Sequence, residues 1–257
     1  MKSLHKALDI IERISEAGAM GISELASATD LPPPTIHRIL RTLSSRGYIQ
    51  QQPDRRYLLS SKFLILGSRV QQQFDIVAIA RPHLEALMAG TRENANLCVR
   101  NGDNIVYIDH VPSASHDLRI FTRLGGSAPL YASGTGKVFL GQFSPKLLDA
   151  YLDRVTLTPL TPATLATADD LRQHIDQVRA NGHALDDQEK ETGVRCVAAP
   201  VFDHSGQIAA AVSISGATQR ITRKRLPTLT ARVVQAAKRI SLALGCPETL
   251  CPAPLTR

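Results

Sequence analysis

The sequence predicts an α+β protein of two domains, on three observations. The chain has 257 residues, enough for two cores at roughly 100–200 residues per domain. Helical apolar periodicity fills the N-terminal part and ends in two short β-rich runs near residues 48 and 57. Past residue 75, alternating and amphipathic segments are interleaved, as when helices pack around an antiparallel sheet. Hydrophobic residues at 43% and charged residues at 21% exclude wholesale disorder.

Leu4, Leu8, Ile11 and Ile14 recur at helical spacing, and Gly18 ends that helix. Ser23 is expected to cap a short second helix that turns Ala26 inward. A third helix runs from about Pro33 to Arg46, since proline is tolerated in a first turn and Gly47 suits its end. Ile36, Ile39, Leu40 and Leu43 form its apolar stripe. Arg38, Arg41, Thr42 and Ser45 take the other face, flanked by Thr35 and His37. Tyr48–Gln51 and Tyr57–Leu59 read as strands joined by Pro53-Asp54-Arg55-Arg56, a hairpin with a basic tip. Three helices and a hairpin over 1–60 make the winged helix-turn-helix pattern. A linker helix is expected over 61–74, and Asp75 caps the next helix, with a kink or broken start at Pro82.

In 75–257, strands are expected at 96–100, 104–111, 117–123, 183–186, 194–202 and 207–215, the last two joined by Asp203-His204-Ser205-Gly206. Helices are expected at 134–142, 145–153, 169–181 and 223–244.

Charge gives the first functional lead. The net +7 is concentrated in 32–69, where Arg38, Arg41, Arg46, Arg55, Arg56, Lys62 and Arg69 face Asp54 alone. The major groove admits a helix, and Arg pairs bidentately with guanine. Thr35, His37, Arg38, Arg41 and Thr42 on the third helix are therefore the candidate DNA readers. Arg55 and Arg56 at the wing tip are placed for backbone or minor groove. The partner expected is double-stranded DNA.

The four cysteines are too scattered for a disulfide scaffold, and without a C-x2-C pair no metal site is expected. No apolar run approaches the ~18–20 residues that span a bilayer, and Asp9 and Glu12 interrupt any signal-peptide core, so a cytoplasmic protein without membrane contact is expected.

Along nearly its whole length the sequence resembles the IclR family of bacterial transcription regulators. In the N-terminal part the resemblance is carried by Ser3-Leu4-His5-Lys6-Ala7-Leu8-Asp9-Ile10-Ile11, by Thr35-Ile36-His37-Arg38-Ile39-Leu40-Arg41-Thr42-Leu43, and by Gly47-Tyr48-Ile49. In the C-terminal part it is carried by Pro129–Lys137, Asp186-Asp187-Gln188-Glu189, Gly193–Phe202 and Ser213-Ile214-Ser215-Gly216. The departure is Pro33-Pro34, where this family usually opens the helix with a basic or small polar pair such as Lys-Ser. The resemblance implies a GAF-like or profilin-like effector domain, homodimers or homotetramers, and control of catabolic genes, by repression rather than activation. It further implies that Gly134, Thr135, Asp186, Cys196, Ser213 and Ser215 line an effector pocket, with Ile120 as an apolar wall. No cofactor is implied.

The residues give that pocket a physical basis. Gly134-Thr135-Gly136-Lys137 is no Walker A loop, because Tyr131 and Val138 stand where Gly and Ser/Thr are needed. It is instead a small-residue helix start whose free amides suit a carboxylate, or glycines that only permit close packing. Ser213 and Ser215 share one face of a strand, with Val212 and Ile214 on the other. A small carboxylate-type effector is expected. The competing class is a hydrolase with Cys196 as nucleophile beside His183 and Asp186, although no G-x-S-x-G elbow is present. Residues 204–247 hold no acid but Arg220, Arg223, Lys224, Arg225, Arg232, Lys238 and Arg239, read as a solvated cationic face or one that meets an acidic neighbour or DNA.

Overall fold

The computed structural model describes residues 2–66, 75–113 and 123–249. The chain divides into two compact units, Met1–Phe74 and Asp75–Arg257. The predicted strand 117–123 falls almost wholly outside the described residues, as do Ile120 and linker positions 67–74.

The first unit contains α1 (Lys2–Ala17), α2 (Ile22–Thr29), α3 (Pro33–Ser45), β1 (Ile49–Gln51) and β2 (Tyr57–Leu59), then α4 over 62–66. Ile10, Ile14, Leu25, Ile36, Leu40 and Ile49 form its core. Leu4 and Leu8 of the predicted α1 stripe are 65% and 46% exposed, so the buried face of α1 belongs to its second half. The start of α2 also differs from expectation. Gly21 is the N-cap, and the Glu24 carboxylate accepts its amide at 2.7 Å, a stronger acceptor than the predicted Ser23 hydroxyl. Leu25 is the buried residue of that helix and Ala26 only half-buried. Lys62 donates to the Arg46 carbonyl at 2.6 Å and lies over the Tyr48 ring, so this cation serves the end of α3.

The second unit is built on a six-stranded antiparallel sheet of order β5-β4-β3-β8-β7-β6. Its strands are β3 (Asn94–Asn101), β4 (Asn104–Val111), β5 (Ser127–Pro129), β6 (Ala184–Asp187), β7 (Val194–Phe202) and β8 (Ile208–Ala217). One face packs on α5 (Ile76–Thr91) and α9 (Leu226–Ala243) through Leu84, Leu87, Leu97, Val212, Ile214 and Val233. The other packs on α6 (Gly134–Gly141), α7 (Pro145–Arg154) and α8 (Ala168–Asn181) through Cys98, Phe139, Leu140, Ile175 and Ala198. Asp75 caps α5 as expected, accepting from Val77 and Ala78. Pro82 does not break α5: it forfeits one bond while Ala80, Leu84 and Leu87 hold the helix to the sheet.

Part of the acid-free stretch finds acidic partners inside this unit. Arg220 and Arg225 converge on Glu93, which is 1% exposed, and Arg223 reaches Asp187 at 3.7 Å. Arg232 and Arg239 line a small groove with His83.

Candidate functional site

The DNA-facing candidates lie on α3 and the wing. Burial of Ile36, Ile39, Leu40 and Leu43 turns His37, Arg38 and Arg41 outward. These three share a groove of about 620 Å³ with Pro34, Ser44, Gln51 and Tyr57. Thr35 is half-buried at the helix start, and Thr42 is exposed but donates back to the Arg38 carbonyl at 3.1 Å. Ser44 and Gln51 were not anticipated, since polar residues carry no periodic signal. At the wing tip, Arg55 adopts φ +66° and is exposed. Arg56 is tied back, donating to the Ala19 carbonyl at 2.7 Å and pairing with Glu24 at 3.1 Å.

In the second unit, strand register assembles the other candidates. Asp186 stands opposite Cys196, and Cys196 opposite Ser215. In the neighbouring row, Ala198 stands opposite Ser213, Ser213 opposite Asn96, and Asn96 opposite His110. Val212 and Ile214 lie in the core on the opposite face, as the period of two requires. Over this sheet face sits the start of α6. A Cβ on Gly134 would come within 3.2 Å of the Cys196 sulfur, so glycine is what lets the helix end approach the sheet. The Thr135 side chain neighbours the Cys98 thiol.

Ser133 caps α6 by accepting from the Gly136 amide at 3.1 Å, and the Lys137 amide bonds to the Ser133 carbonyl. That leaves the amides of Gly134 and Thr135 without a hydrogen-bond partner among the described residues, although both residues are buried. Buried orphan N–H groups are rare in folded proteins. Lys137 itself is fully buried and paired with Glu189, so it is no phosphate-loop lysine. Asp186 is 4% exposed and its Oδ1 accepts from the Glu189 amide at 2.8 Å. Burial raises its pKa above the usual carboxylate range, with Lys137 pulling the other way.

The geometry does not assemble a hydrolase. Burial, with Asp186 adding to it, pushes the Cys196 thiol up to about 12 against the pull of the Ser213 hydroxyl. His183 Nδ1 is engaged by the Asn181 carbonyl at 2.9 Å. Asp203 Oδ1 accepts from Ser205 and Gln207, holding the β7–β8 turn.

Among the described residues, no helix is long and apolar enough to cross a membrane. Two family models match the chain. The IclR helix-turn-helix domain matches residues 3–53, and the bacterial transcriptional regulator IclR C-terminal domain matches residues 68–242. The transcriptional repressor IclR of Escherichia coli is 35% identical over 249 residues, spanning 95% of this chain and 90% of that protein. The transcriptional regulator BhcR of Paracoccus denitrificans is 34% identical over 247 residues, spanning 95% and 88%. The crystal structure of the Thermotoga maritima IclR superimposes with a TM-score of 0.64 at 32% identity, covering 95% of this chain and 99% of that one. With both of its units matched by that family's models, the chain belongs to the IclR family and is a DNA-binding transcription regulator with the family's ligand-binding C-terminal domain.

Proposed function

We propose that the protein represses catabolic genes from a near-palindromic operator and responds to a small carboxylate-type effector. In this reading, residues 1–60 read DNA, 61–74 link, and 75–257 bind effector and assemble the oligomer. Thr35, His37, Arg38, Arg41, Thr42 and Arg55 face DNA, while Arg56 supports the wing. Exposed Leu4 and Leu8 on α1 offer an apolar strip for pairing two reading heads into a dimer, the arrangement a two-fold operator matches. Repression is the role printed in the name of the E. coli relative. If each subunit neutralises ~4 phosphates, the slope of log K against log[salt] for a dimer is about −7. Such work at chromosomal DNA places the protein in the cytoplasm.

One observation carries the effector reading: the amides of two buried residues, Gly134 and Thr135, lack partners among the described residues beside Asp186, Cys196, Ser213 and Ser215. A ligand oxygen satisfies them, and the helix end favours one that bears negative charge. Ile120, outside the described residues, is assigned to the same pocket by family resemblance. The test is a thermal-shift screen of monocarboxylates, hydroxy acids and sugar acids, because a ligand adds RT ln(1 + [L]/Kd) to stability. Asp186→Ala and Ser215→Ala are expected to lose the shift while keeping operator binding. If both respond normally, the pocket lies elsewhere.

A further inference from the structure

We infer that Asn96, locked by His110, fixes the hydroxyls of Ser213 and Ser215 as hydrogen-bond donors and so makes the site choose a carboxylate over its neutral amide. The inference deepens the effector reading above and rests on it for the identity of the site.

Asn96 on β3 is 1% exposed and has polar partners on both neighbouring strands. Its Nδ2 donates to Ser213 Oγ at 3.3 Å and to Ser215 Oγ at 3.2 Å. Its Oδ1 lies 2.9 Å from His110 Nδ1 on β4. A primary amide has two donors at one end and only acceptor lone pairs at the other, so its orientation dictates what its neighbours do. As it stands, both amide hydrogens end on serine oxygens, and each serine keeps its own O–H hydrogen to give elsewhere. Ser213 has the Cys196 thiol as a neighbour. No acceptor for the Ser215 hydroxyl is present among the described residues, although that residue is 8% exposed.

Turned over, the amide would accept from both serines. They would then present only lone pairs, which repel a carboxylate. His110 decides between the two states. An Nδ1 that carries hydrogen needs an acceptor and holds Oδ1 towards itself, whereas a bare Nδ1 would draw the NH2 group instead. In this orientation of Asn96, His110 carries its hydrogen on Nδ1. With that tautomer, Ser215 joins the amides of Gly134 and Thr135 in a set of donors supplied by β8 and α6.

The deciding experiment is a long-range 1H–15N spectrum of the full chain with 15N-labelled imidazoles, His110 being assigned from a His110→Phe variant. Hydrogen on Nδ1 is expected, and a bare Nδ1 overturns the inference. A second arm measures affinities of propionate, lactate and gluconate against propionamide, lactamide and gluconamide. The wild type is expected to favour acids, and Asn96→Leu and His110→Phe to lower the acid-to-amide ratio about tenfold, the worth of one charge-assisted bond. A purely structural role would weaken acid and amide alike, and an unchanged ratio in variants that still bind operator overturns the inference. If none of the acids binds the wild type, the effector reading falls, and the ring nitrogen alone still decides the orientation of Asn96.

Discussion

The wholly buried ammonium of Lys137 is paired with the carboxylate of Glu189, whose second oxygen has no hydrogen-bond partner among the described residues. This pair ties α6 to the segment following β6. Burial raises the pKa of Glu189 and Lys137 opposes the rise, so the carboxylate depends on the ammonium for its charge. Lys137→Met is expected to destabilise the fold by ~3–5 kcal/mol, because an uncompensated carboxylate stays buried. Lys137→Met with Glu189→Leu should recover most of that loss. Denaturant melts of the two variants check this, and equal stability of the single and double variants refutes it.

His174 on α8 gives the fold a defined acid sensitivity. Burial, aided by the charge of Lys137, depresses its pKa from 6.5 to about 4, against the pull of a bond to the Leu185 backbone. The unfolded chain takes up a proton near 6.5 while the folded chain stays neutral until about 4. Stability from this group is complete above 6.5 and lost as pH falls through that window. His174→Gln should flatten the dependence of Tm on pH there and leave neutral-pH behaviour to packing alone. A slope identical to that of the wild type would rule this out.

Arg38 projects from α3 opposite its buried stripe and lines the groove between helix and wing. Arg38→Ala should cost ~1–3 kcal/mol of discrimination between operator and a point-mutated operator. Fluorescence anisotropy with the two duplexes measures it, and an unaltered melting curve separates reading from folding.

Arg55 and Arg56 are neighbours with different expected fates. Arg55→Ala should reduce the salt slope by about one, the signature of a single lost phosphate contact. Arg56→Ala should leave the slope unchanged and lower the stability of the winged unit by up to ~1 kcal/mol, since its guanidinium is committed to Ala19 and Glu24. Equal changes in slope for both variants would contradict the division.

Much of the architecture was legible because periodicity and end signals coincide. The α3 stripe, the Asp75 cap and the β7–β8 hairpin all stand where their patterns put them. β5 was missed because Ser127–Pro129 is too short to alternate and ends in proline. Asn96 and His110 were missed for another reason. A polar residue in a strand reads as solvent-facing, and only cross-strand register brings these two beside Ser213. The tie of Arg56 to Glu24 was not legible because composition records a charge but not the carboxylate that pairs with it, here 32 residues away in sequence.

The three consecutive prolines at the start of α3 bear on timing as well as shape. Pro32 is the N-cap and Pro33 and Pro34 occupy the first turn, while the Thr35 amide is spent on the Pro32 carbonyl at 2.9 Å. Their fixed φ angles remove conformations from the unbound chain, so this end of the reading helix has little left to order when DNA arrives. With α3 as the proposed reading helix, the operator is expected to meet a rigid entry point, closer to lock-and-key than to folding upon contact. The ring closed on each proline nitrogen also leaves residues 32–34 without an amide hydrogen, so these three positions are silent to hydrogen exchange.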